Sequence, residues 1–219
     1  MMLIAVDGID GSGKTTLAGQ LKVLLSSFNP IIEKEPTENS KWGIALRASA
    51  ISGRMPRDQE LEFFHKDRIF HLETVVRPAL KLGRAVILDR YVDSTLAFQC
   101  STPIEAEQQY QKFLPEIDIP DITFILDCPA QLGLERIAKY RNEQSTFEKL
   151  DTLSIAQKIY ESRRGPTYKH LDATGTVGET MSQALCHMVK RFPNEAPNFF
   201  GIDDLNIENG DAKLKLILS

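Results

Sequence analysis

The chain has 219 residues, a length that fits one domain with at most a small appendage. Hydrophobic residues make up 42% and charged residues 26%, which is the composition of an ordinary globular protein. The formal net charge of -4 argues against a nucleic-acid-binding protein that works by bulk positive charge. It does not exclude phosphate ligands, because a phosphate site needs only a few well-placed cations and amides.

Cysteine usage and hydropathy predict the cellular compartment of the protein. Cys100, Cys128 and Cys186 are widely spaced and form neither a disulfide framework nor a zinc-binding pattern, so we interpret them as thiols of a reducing compartment. No apolar run reaches the roughly 18 residues that a membrane helix needs, and the N-terminus lacks the basic flank of a signal peptide. We therefore expect a cytoplasmic protein that binds neither membrane nor nucleic acid.

Apolar runs and helical spacing predict strands that alternate with helices along the chain. The predicted strands are residues 3–7, 31–32, 85–89, 122–127 and 168–171. The predicted helices are residues 13–25, 58–82, 130–140, 150–163 and 177–190. Pro78 is expected to kink the last turns of the second helix. This alternation indicates an α/β fold with a parallel sheet covered by helices on both faces.

Residues 8–15 read Gly-Ile-Asp-Gly-Ser-Gly-Lys-Thr and fit the pattern G-x-x-x-x-G-K-[ST] between a predicted strand and a predicted helix. The glycines let backbone N–H groups converge on phosphate oxygens, and the helix N-terminus adds a positive dipole. Lys14 is placed to reach terminal phosphates, and the Thr15 hydroxyl is placed to ligate Mg²⁺. The predicted ATP- or GTP-binding set is Gly8, Ile9, Asp10, Gly11, Ser12, Gly13, Lys14, Thr15 and Thr16.

The loop alone does not establish the reaction, since motor ATPases, GTPases and small kinases share it. The sequence carries no N-K-x-D signal for guanine, and the chain length favours a small kinase. Asp89 ends a predicted strand and is followed by Arg90, at the edge where parallel strands meet a ligand. We expect Asp89 to hold hydrated Mg²⁺ and Arg90 to reach phosphate; the alternative is a surface ion pair.

Two further features are weaker when taken alone. Phe64 and Arg68 share one face of the long predicted helix, where a ring and a guanidinium are suited to grip a base and its phosphate. A packed core aromatic is the alternative for Phe64. Basic residues flank a polar stretch at about 136–149, which suits a lid over the transferring phosphoryl group or, alternatively, a solvated helix end.

Four stretches together resemble the thymidylate kinase family of P-loop nucleoside monophosphate kinases. They are residues 7–16, 35–37 (Glu-Pro-Thr), 64–68 and 89–99, the last close to the family pattern D-R-Y-x-x-S-x-x-A-Y-Q. The resemblance runs from about residue 3 to about residue 191. It implies a three-layer P-loop kinase fold with a five-stranded parallel sheet in the order 2-3-1-4-5. It also implies ATP and dTMP as substrates, Mg²⁺ as cofactor and a homodimer.

The resemblance implies a role for each matching residue. Lys14 and Thr15 would serve ATP phosphate and Mg²⁺, Asp10 would approach the sugar 3′-hydroxyl, and Phe64 would stack on thymine. Arg68 and Arg90 would hold the acceptor phosphate. The remaining predicted substrate residues are Glu35, Pro36, Ser94, Phe98 and Gln99, with Gln99 near the base. Because the phosphate loop carries no extra basic residue, a transition-state arginine is expected from the lid, with Arg136 and Arg141 as candidates.

Departures from the family pattern keep other interpretations open. Phe98 stands where the family has Tyr, which predicts looser selectivity for deoxyribose, and Ser145-Thr146 stand where relatives often have Asp-Arg. A deoxynucleoside kinase would use Glu35 as a general base, and a degenerate kinase fold would only bind nucleotide. We place the kinase-like domain at residues 1–193 and a C-terminal extension of undetermined role at residues 194–219.

Overall fold

A five-stranded parallel sheet forms the centre of the computed structural model, which describes residues 2–140, 149–199, 206–208 and 211–213. Its strands are β1 Met2–Gly8, β2 Ile31–Lys34, β3 Ala85–Asp89, β4 Ile122–Asp127 and β5 Tyr168–Asp172. They lie in the order β2-β3-β1-β4-β5, which confirms the predicted order. Every residue of β1 is buried, as expected for a central strand with both faces covered.

Helices flank this sheet. They are α1 Lys14–Leu24, α2 Lys41–Ser52, α3 Arg57–His71, α4 Arg77–Lys81, α5 Val92–Gln99, α6 Pro103–Phe113, α7 Ala130–Tyr140, α8 Leu150–Ser162 and α9 Val177–Arg191. Short 3₁₀ turns occur at Ser26–Phe28 and Ala196–Asn198. A separate antiparallel pair, β6 Asn206–Glu208 and β7 Asp211–Lys213, lies within the predicted extension.

The predicted helix at 58–82 is confirmed as one continuous helical segment over residues 57–81, with a local change in its winding just before Pro78. The chain forms α3, then a π turn over Leu72–Val76, then α4. Pro78 explains this π turn, because it has no N–H and its ring crowds the carbonyl four residues earlier. A wider turn before the proline relieves that crowding.

Three helices were not predicted: α2, α5 and α6. Two of them begin with ordinary caps that are visible in the sequence: the Ser40 side chain accepts from Gly43 N, and the Thr102 side chain accepts from Glu105 N. The third, α5, buries polar side chains as well as apolar ones, so it shows no amphipathic pattern. It follows β3 directly and therefore carries its residues to the carboxyl edge of the sheet.

The residues just beyond position 193 pack onto the domain. Ala196 and Phe199 are buried, and the Phe199 ring lies 6.1 Å from the Phe28 ring in an edge-to-face contact.

The three cysteines are thiols, and Cys100 and Cys128 are buried. Over the described ranges, no helix combines the length and the apolar character that crossing a membrane requires.

The phosphate loop packs directly against α7. Gly11 has φ +79°, and a Cβ added there would lie 2.2 Å from the Gly133 carbonyl oxygen. In the same way, a Cβ on Gly133 would lie 2.6 Å from the Asp10 carbonyl oxygen. The two glycines therefore let the loop and the helix approach each other backbone to backbone, which leaves no room for a side chain at position 11.

A buried arginine connects α5, α6 and β5. Arg163 follows α8 and is 4% exposed. Its Nε donates to Asp93 Oδ1 at 2.6 Å, and its other two nitrogens donate to Glu107 Oε2 at 2.7 Å and to the Tyr168 hydroxyl at 3.0 Å. The guanidinium also lies 4.3 Å from the centre of the Tyr110 ring. This set of contacts neutralises Asp93, which is fully buried at the start of α5.

The close contact at Gly11 predicts that two glycine-to-alanine substitutions will have opposite effects on stability. Gly11→Ala should lower the free energy of unfolding by about 1–3 kcal/mol, because the methyl group meets backbone that cannot move aside. Gly19→Ala is the control: Gly19 lies in α1 with nothing within 4 Å of its added Cβ, and the change should stabilise by about 0.5–1 kcal/mol. Urea unfolding followed by circular dichroism measures both. Equal effects would contradict the contact.

The contacts of buried Arg163 predict the effects of a second pair of substitutions on stability. Arg163→Met should cost about 3–5 kcal/mol of unfolding free energy, because it leaves Asp93 buried without its cation. Arg77→Met is the matched control, since its ion pair with Asp118 is 36% and 33% exposed and should cost about 1 kcal/mol or less. If the two variants unfold at the same urea concentration, the buried pair does not have the structural importance assigned to it.

Candidate active site

A cleft of about 710 Å³ opens at the carboxyl edge of the sheet. Its walls come from the phosphate loop and the start of α1, from the ends of β2 and β3, and from α7 and the loop before α9. Of the predicted nucleotide-binding residues, Asp10 through Thr16 line this cleft. Gly8 and Ile9 form the turn that leads into it from β1. The structure therefore brings the predicted set together in one place.

The phosphate loop leaves polar groups available for an anion. Gly13 occupies the N-cap of α1 in a left-handed conformation, with φ 101°, and no side chain caps the first turn within the described part of the chain. The Ser12 hydroxyl is buried and, among the described residues, has no hydrogen-bond partner. Uncapped N–H groups and an unsatisfied hydroxyl at a helix N-terminus fit a phosphate group.

Lys14 is folded back into its own loop. Its Nζ donates to the Ile9 carbonyl at 2.7 Å and lies 3.7 Å from Asp10 Oδ1. Burial, followed by repulsion from Arg90, lowers the pKa of Lys14 to about 8. A bound phosphate would supply the negative charge that favours the ammonium form.

Thr15 and Asp89 form the candidate cation site. The Thr15 hydroxyl donates to Asp89 Oδ2 at 2.7 Å, and Lys34 Nζ lies 3.5 Å from the same oxygen. The second oxygen, Oδ1, is buried and lacks a hydrogen-bond partner in the described structure. A hydroxyl and a carboxylate suit Mg²⁺, which keeps several waters and binds substrate phosphates. Among the described residues there is no cluster of three His, Cys, Asp or Glu side chains that could hold a metal ion. A cation at Thr15 and Asp89 would therefore also need water or substrate phosphate as ligands.

Arg90 turns from the end of β3 towards the phosphate loop. Its backbone is left-handed, with φ 81°, and its N–H donates to the Val6 carbonyl at 3.1 Å. Its guanidinium pairs with the Asp10 carboxylate and lies 3.3 Å from Ser94 Oγ. The phosphate loop, β3 and α5 therefore meet at one cation.

A buried network behind Arg90 was not predicted. The Ser94 hydroxyl donates to Asp7 Oδ1 and lies 3.0 Å from the Tyr160 hydroxyl. Asp7 Oδ1 also accepts from Tyr91 N at 3.3 Å. Burial, followed by the nearby Asp93 carboxylate, raises the pKa of Asp7. Asp7 and Ser94 lie within the motif stretches, but Tyr160 lies far along the chain and no spacing rule connects it to them.

A second group of predicted residues lies between α3 and α5. Phe64 is half-buried, and Arg68 is fully buried. Arg68 Nε donates to Glu35 Oε2 at 2.9 Å, and its Nη2 donates to Thr95 Oγ1 at 2.9 Å. Its Nη1 has no hydrogen-bond partner among the described residues. The other Glu35 oxygen lies 3.3 Å from His71 Nδ1, so both oxygens of this carboxylate are engaged.

The segment after Glu35 is fixed by residues that the sequence analysis did not single out. Asp67 accepts from Thr37 N at 2.8 Å and from the hydroxyls of Thr37 and Ser40. Arg47 Nε donates to the Pro36 carbonyl at 3.1 Å. Asp67 sits beside Arg68 in the motif, so the signal for its importance was present. The pairing itself depends on how α2 and α3 pack.

Of the two predicted lid arginines, the structure describes only Arg136. Arg136 lines the cleft and donates from Nη1 to the Ala173 carbonyl at 2.8 Å and from Nη2 to the Thr174 carbonyl at 3.2 Å. These bonds hold α7 against the loop that follows β5. Arg141, and with it residues 141–148 of the predicted lid, lies outside the described residues.

Phe98 and Gln99 end α5. Phe98 is half-buried, with the Arg90 guanidinium 5.6 Å from its ring centre, and Gln99 is buried. Of the predicted acceptor residues, Ser94, Phe98 and Gln99 lie on α5, and Ser94 lies beside the Arg90 guanidinium that contacts the phosphate loop.

The comparisons with known proteins agree with this geometry. The family model described as Thymidylate kinase matches residues 6–194. The Thymidylate kinase of Xylella fastidiosa strain 9a5c is 37% identical over 188 residues, which cover 84% of this chain and 88% of that protein. The Thymidylate kinase of Xanthomonas oryzae pv. oryzae strain PXO99A is 34% identical over 220 residues, which cover 99% of this chain and 93% of that protein. On the extent of these matches, the chain belongs to the thymidylate kinase family.

Proposed function

We propose that this chain transfers the γ-phosphoryl group of ATP to dTMP and releases dTDP and ADP. The observation that carries the proposal is the meeting of three elements at Arg90. This cation touches Asp10 of the phosphate loop and Ser94 of α5, so it lies between the nucleotide cleft and the α3–α5 face. A cation at that place is suited to hold an acceptor phosphate next to the donor.

The donor side uses the phosphate loop. The N–H groups of the loop and of the first turn of α1 bind the phosphates of ATP. Lys14 leaves the Ile9 carbonyl for the terminal phosphates, where its positive charge is favoured. Thr15 and Asp89 would hold Mg²⁺, which would neutralise phosphate charge. Arg136 supports the nucleotide wall through its bonds to the loop after β5.

The acceptor side uses Phe64 as a stacking surface for the base. Arg68 is fully buried and already paired with Glu35, so its net pull on a phosphate is small. Its Nη1, which has no hydrogen-bond partner in the described part of the chain, is better suited to donate a hydrogen bond to a neutral carbonyl of the base. Arg90 then becomes the main cation for the acceptor phosphate, and Asp10 approaches the sugar.

The transfer step needs no general base. An oxygen of the acceptor phosphate is already a competent nucleophile, so the protein positions the two substrates and neutralises charge on the transferred group. Lys14, Arg90 and a lid arginine, Arg136 or Arg141, supply that charge. We also propose that the chain works as a cytoplasmic homodimer, which the resemblance to the family implies.

The two alternatives fit less well. A nucleoside kinase needs a carboxylate free to accept a hydroxyl proton, whereas both oxygens of Glu35 are engaged by Arg68 and His71. A non-catalytic module would not need to keep Lys14, Thr15 and Arg90 together at the cleft.

Replacement of the two proposed catalytic cations tests the function. Lys14→Ala and Arg90→Ala should each lower kcat for dTMP-dependent ADP formation by about 10³-fold or more, because each removes charge that stabilises the transition state. Lys22→Ala is the control, since Lys22 is an exposed lysine of the same helix α1. A coupled assay of ADP release measures all three. A folded Lys14→Ala variant with near-normal turnover would rule out this function.

A further inference from the structure

Lys34 ends the edge strand β2 beside Asp89, the carboxylate of the candidate cation site. The two residues are in register at the carboxyl ends of β2 and β3. Residues in register on neighbouring strands project to the same face of a sheet. The Lys34 Nζ accordingly lies 3.5 Å from Asp89 Oδ2. The pairing of two strands, rather than a sequence motif, therefore brings this cation to the site.

The ammonium of Lys34 faces the same carboxylate oxygen as the Thr15 hydroxyl does. Asp89 Oδ2 accepts from Thr15 at 2.7 Å, and all three residues line the cleft at the carboxyl edge of the sheet. Thr15 and Asp89 are the groups that would hold Mg²⁺. Like charges at such short range repel each other strongly away from bulk water. A divalent ion and the ammonium therefore compete for this carboxylate.

The two members of the ion pair differ in burial. The Asp89 side chain is 3% exposed, whereas the Lys34 side chain is 50% exposed. A buried carboxylate is costly when it has no cation beside it. A half-exposed lysine loses little when its ammonium turns into water, because an exposed ion pair contributes little to stability. Lys34 is therefore suited to be a partner that Asp89 can exchange for another cation.

The neighbouring cations of the cleft contact a different carboxylate. Lys14 Nζ lies 3.7 Å from Asp10 Oδ1, and the Arg90 guanidinium pairs with the same oxygen. The Asp89 charge also favours the charged forms of Lys14 and Arg90, but in both cases Asp10 has the larger effect. Asp10 thus engages Lys14 and Arg90, whereas Asp89 engages Lys34.

We propose that Lys34 is a positioning residue that competes with the divalent metal for Asp89, so that its ammonium neutralises the carboxylate until a metal displaces it. A metal ion by itself then binds weakly, because it has to expel the ammonium. Mg²⁺ carried on nucleotide phosphates brings further oxygen ligands and binds better. The metal therefore enters with its nucleotide rather than before it. This inference rests on the proposed function, since it concerns the Mg²⁺ that the transfer uses.

Metal binding in the absence of ATP and dTMP tests this role. The probe is Mn²⁺, which prefers the same oxygen ligands as Mg²⁺ and whose free ion is measured by its EPR signal. Lys34→Met should bind Mn²⁺ about tenfold more tightly than wild type, because the competing charge is gone. Mg²⁺ alone should correspondingly raise the Tm of Lys34→Met more than it raises that of wild type.

Three variants separate competition at Asp89 from a general effect of charge. Lys34→Arg keeps a competing cation and should bind Mn²⁺ as weakly as wild type does. Lys22→Met removes the same charge from an exposed position of α1, outside the residues that line the cleft, and should leave the Kd unchanged. Asp89→Asn added to Lys34→Met should abolish the gain in affinity. If Lys34→Met does not fold, Lys34→Gln provides the same comparison.

Equal Mn²⁺ affinity of wild type and Lys34→Met would overturn the inference, and so would a failure of both proteins to bind Mn²⁺. An equal gain in Lys22→Met, or a gain that persists without Asp89, would overturn it as well. Turnover separates this result from the proposed function, because the metal titration contains no substrate. If wild type phosphorylates dTMP but the affinities are equal, only the role of Lys34 is wrong. If the affinities differ as expected but wild type does not phosphorylate dTMP, the proposed function is wrong.

Discussion

The contact between Arg90 and Asp10 holds the two halves of the site together. It exists because the chain leaves β3 through a left-handed residue, with φ 81°, whose N–H bonds back to Val6 of β1. That turn directs the guanidinium at the phosphate loop instead of continuing along the strand. It also starts α5, which carries Ser94, Phe98 and Gln99. If this turn were displaced, the donor and acceptor groups would no longer share an edge.

The arginines around this contact form ion pairs with carboxylates close to them. Each of three arginines near the site pairs with a carboxylate: the buried Arg68 with Glu35, the half-buried Arg90 with Asp10 and the buried Arg163 with Asp93. A buried ion is costly without its partner and nearly neutral with it, so such pairs contribute position more than stability. This explains how a chain with a net charge of -4 handles polyanionic substrates. Five of its cations, Lys14, Lys34, Arg90, Arg136 and Lys139, line the cleft at one edge of the sheet.

Much of the fold could be predicted because the sheet is encoded locally. The strand at 122–127 was predicted with the bounds that the structure gives it, since it is an apolar run introduced by a proline. The helix α5 was missed because its buried residues are largely polar, and the π turn before Pro78 was not predicted because it results from a backbone clash. Apolar periodicity reports neither of these effects.

The site was predictable to the extent that its residues lie in short motifs. The phosphate loop, Asp89 and Arg90 line one cleft at the carboxyl edge of the sheet, as the parallel topology requires. Pairings over long separations were not predictable, such as Arg163 with Asp93 or Ser94 with Tyr160. The spacing of residues carries no information about which distant side chains will pack together. Such partners emerge only when the helices are placed on the sheet.

The proposed role of Arg90 is to hold a phosphate as the acceptor of the transferred group. Its most direct test is ATP-dependent ADP formation with dTMP and with thymidine, measured side by side with the Lys14→Ala protein as the blank. We expect turnover with dTMP and, with thymidine, a rate no higher than the blank, because thymidine has no phosphate for Arg90 and both Glu35 oxygens are engaged. Turnover of thymidine in the absence of turnover of dTMP would contradict it.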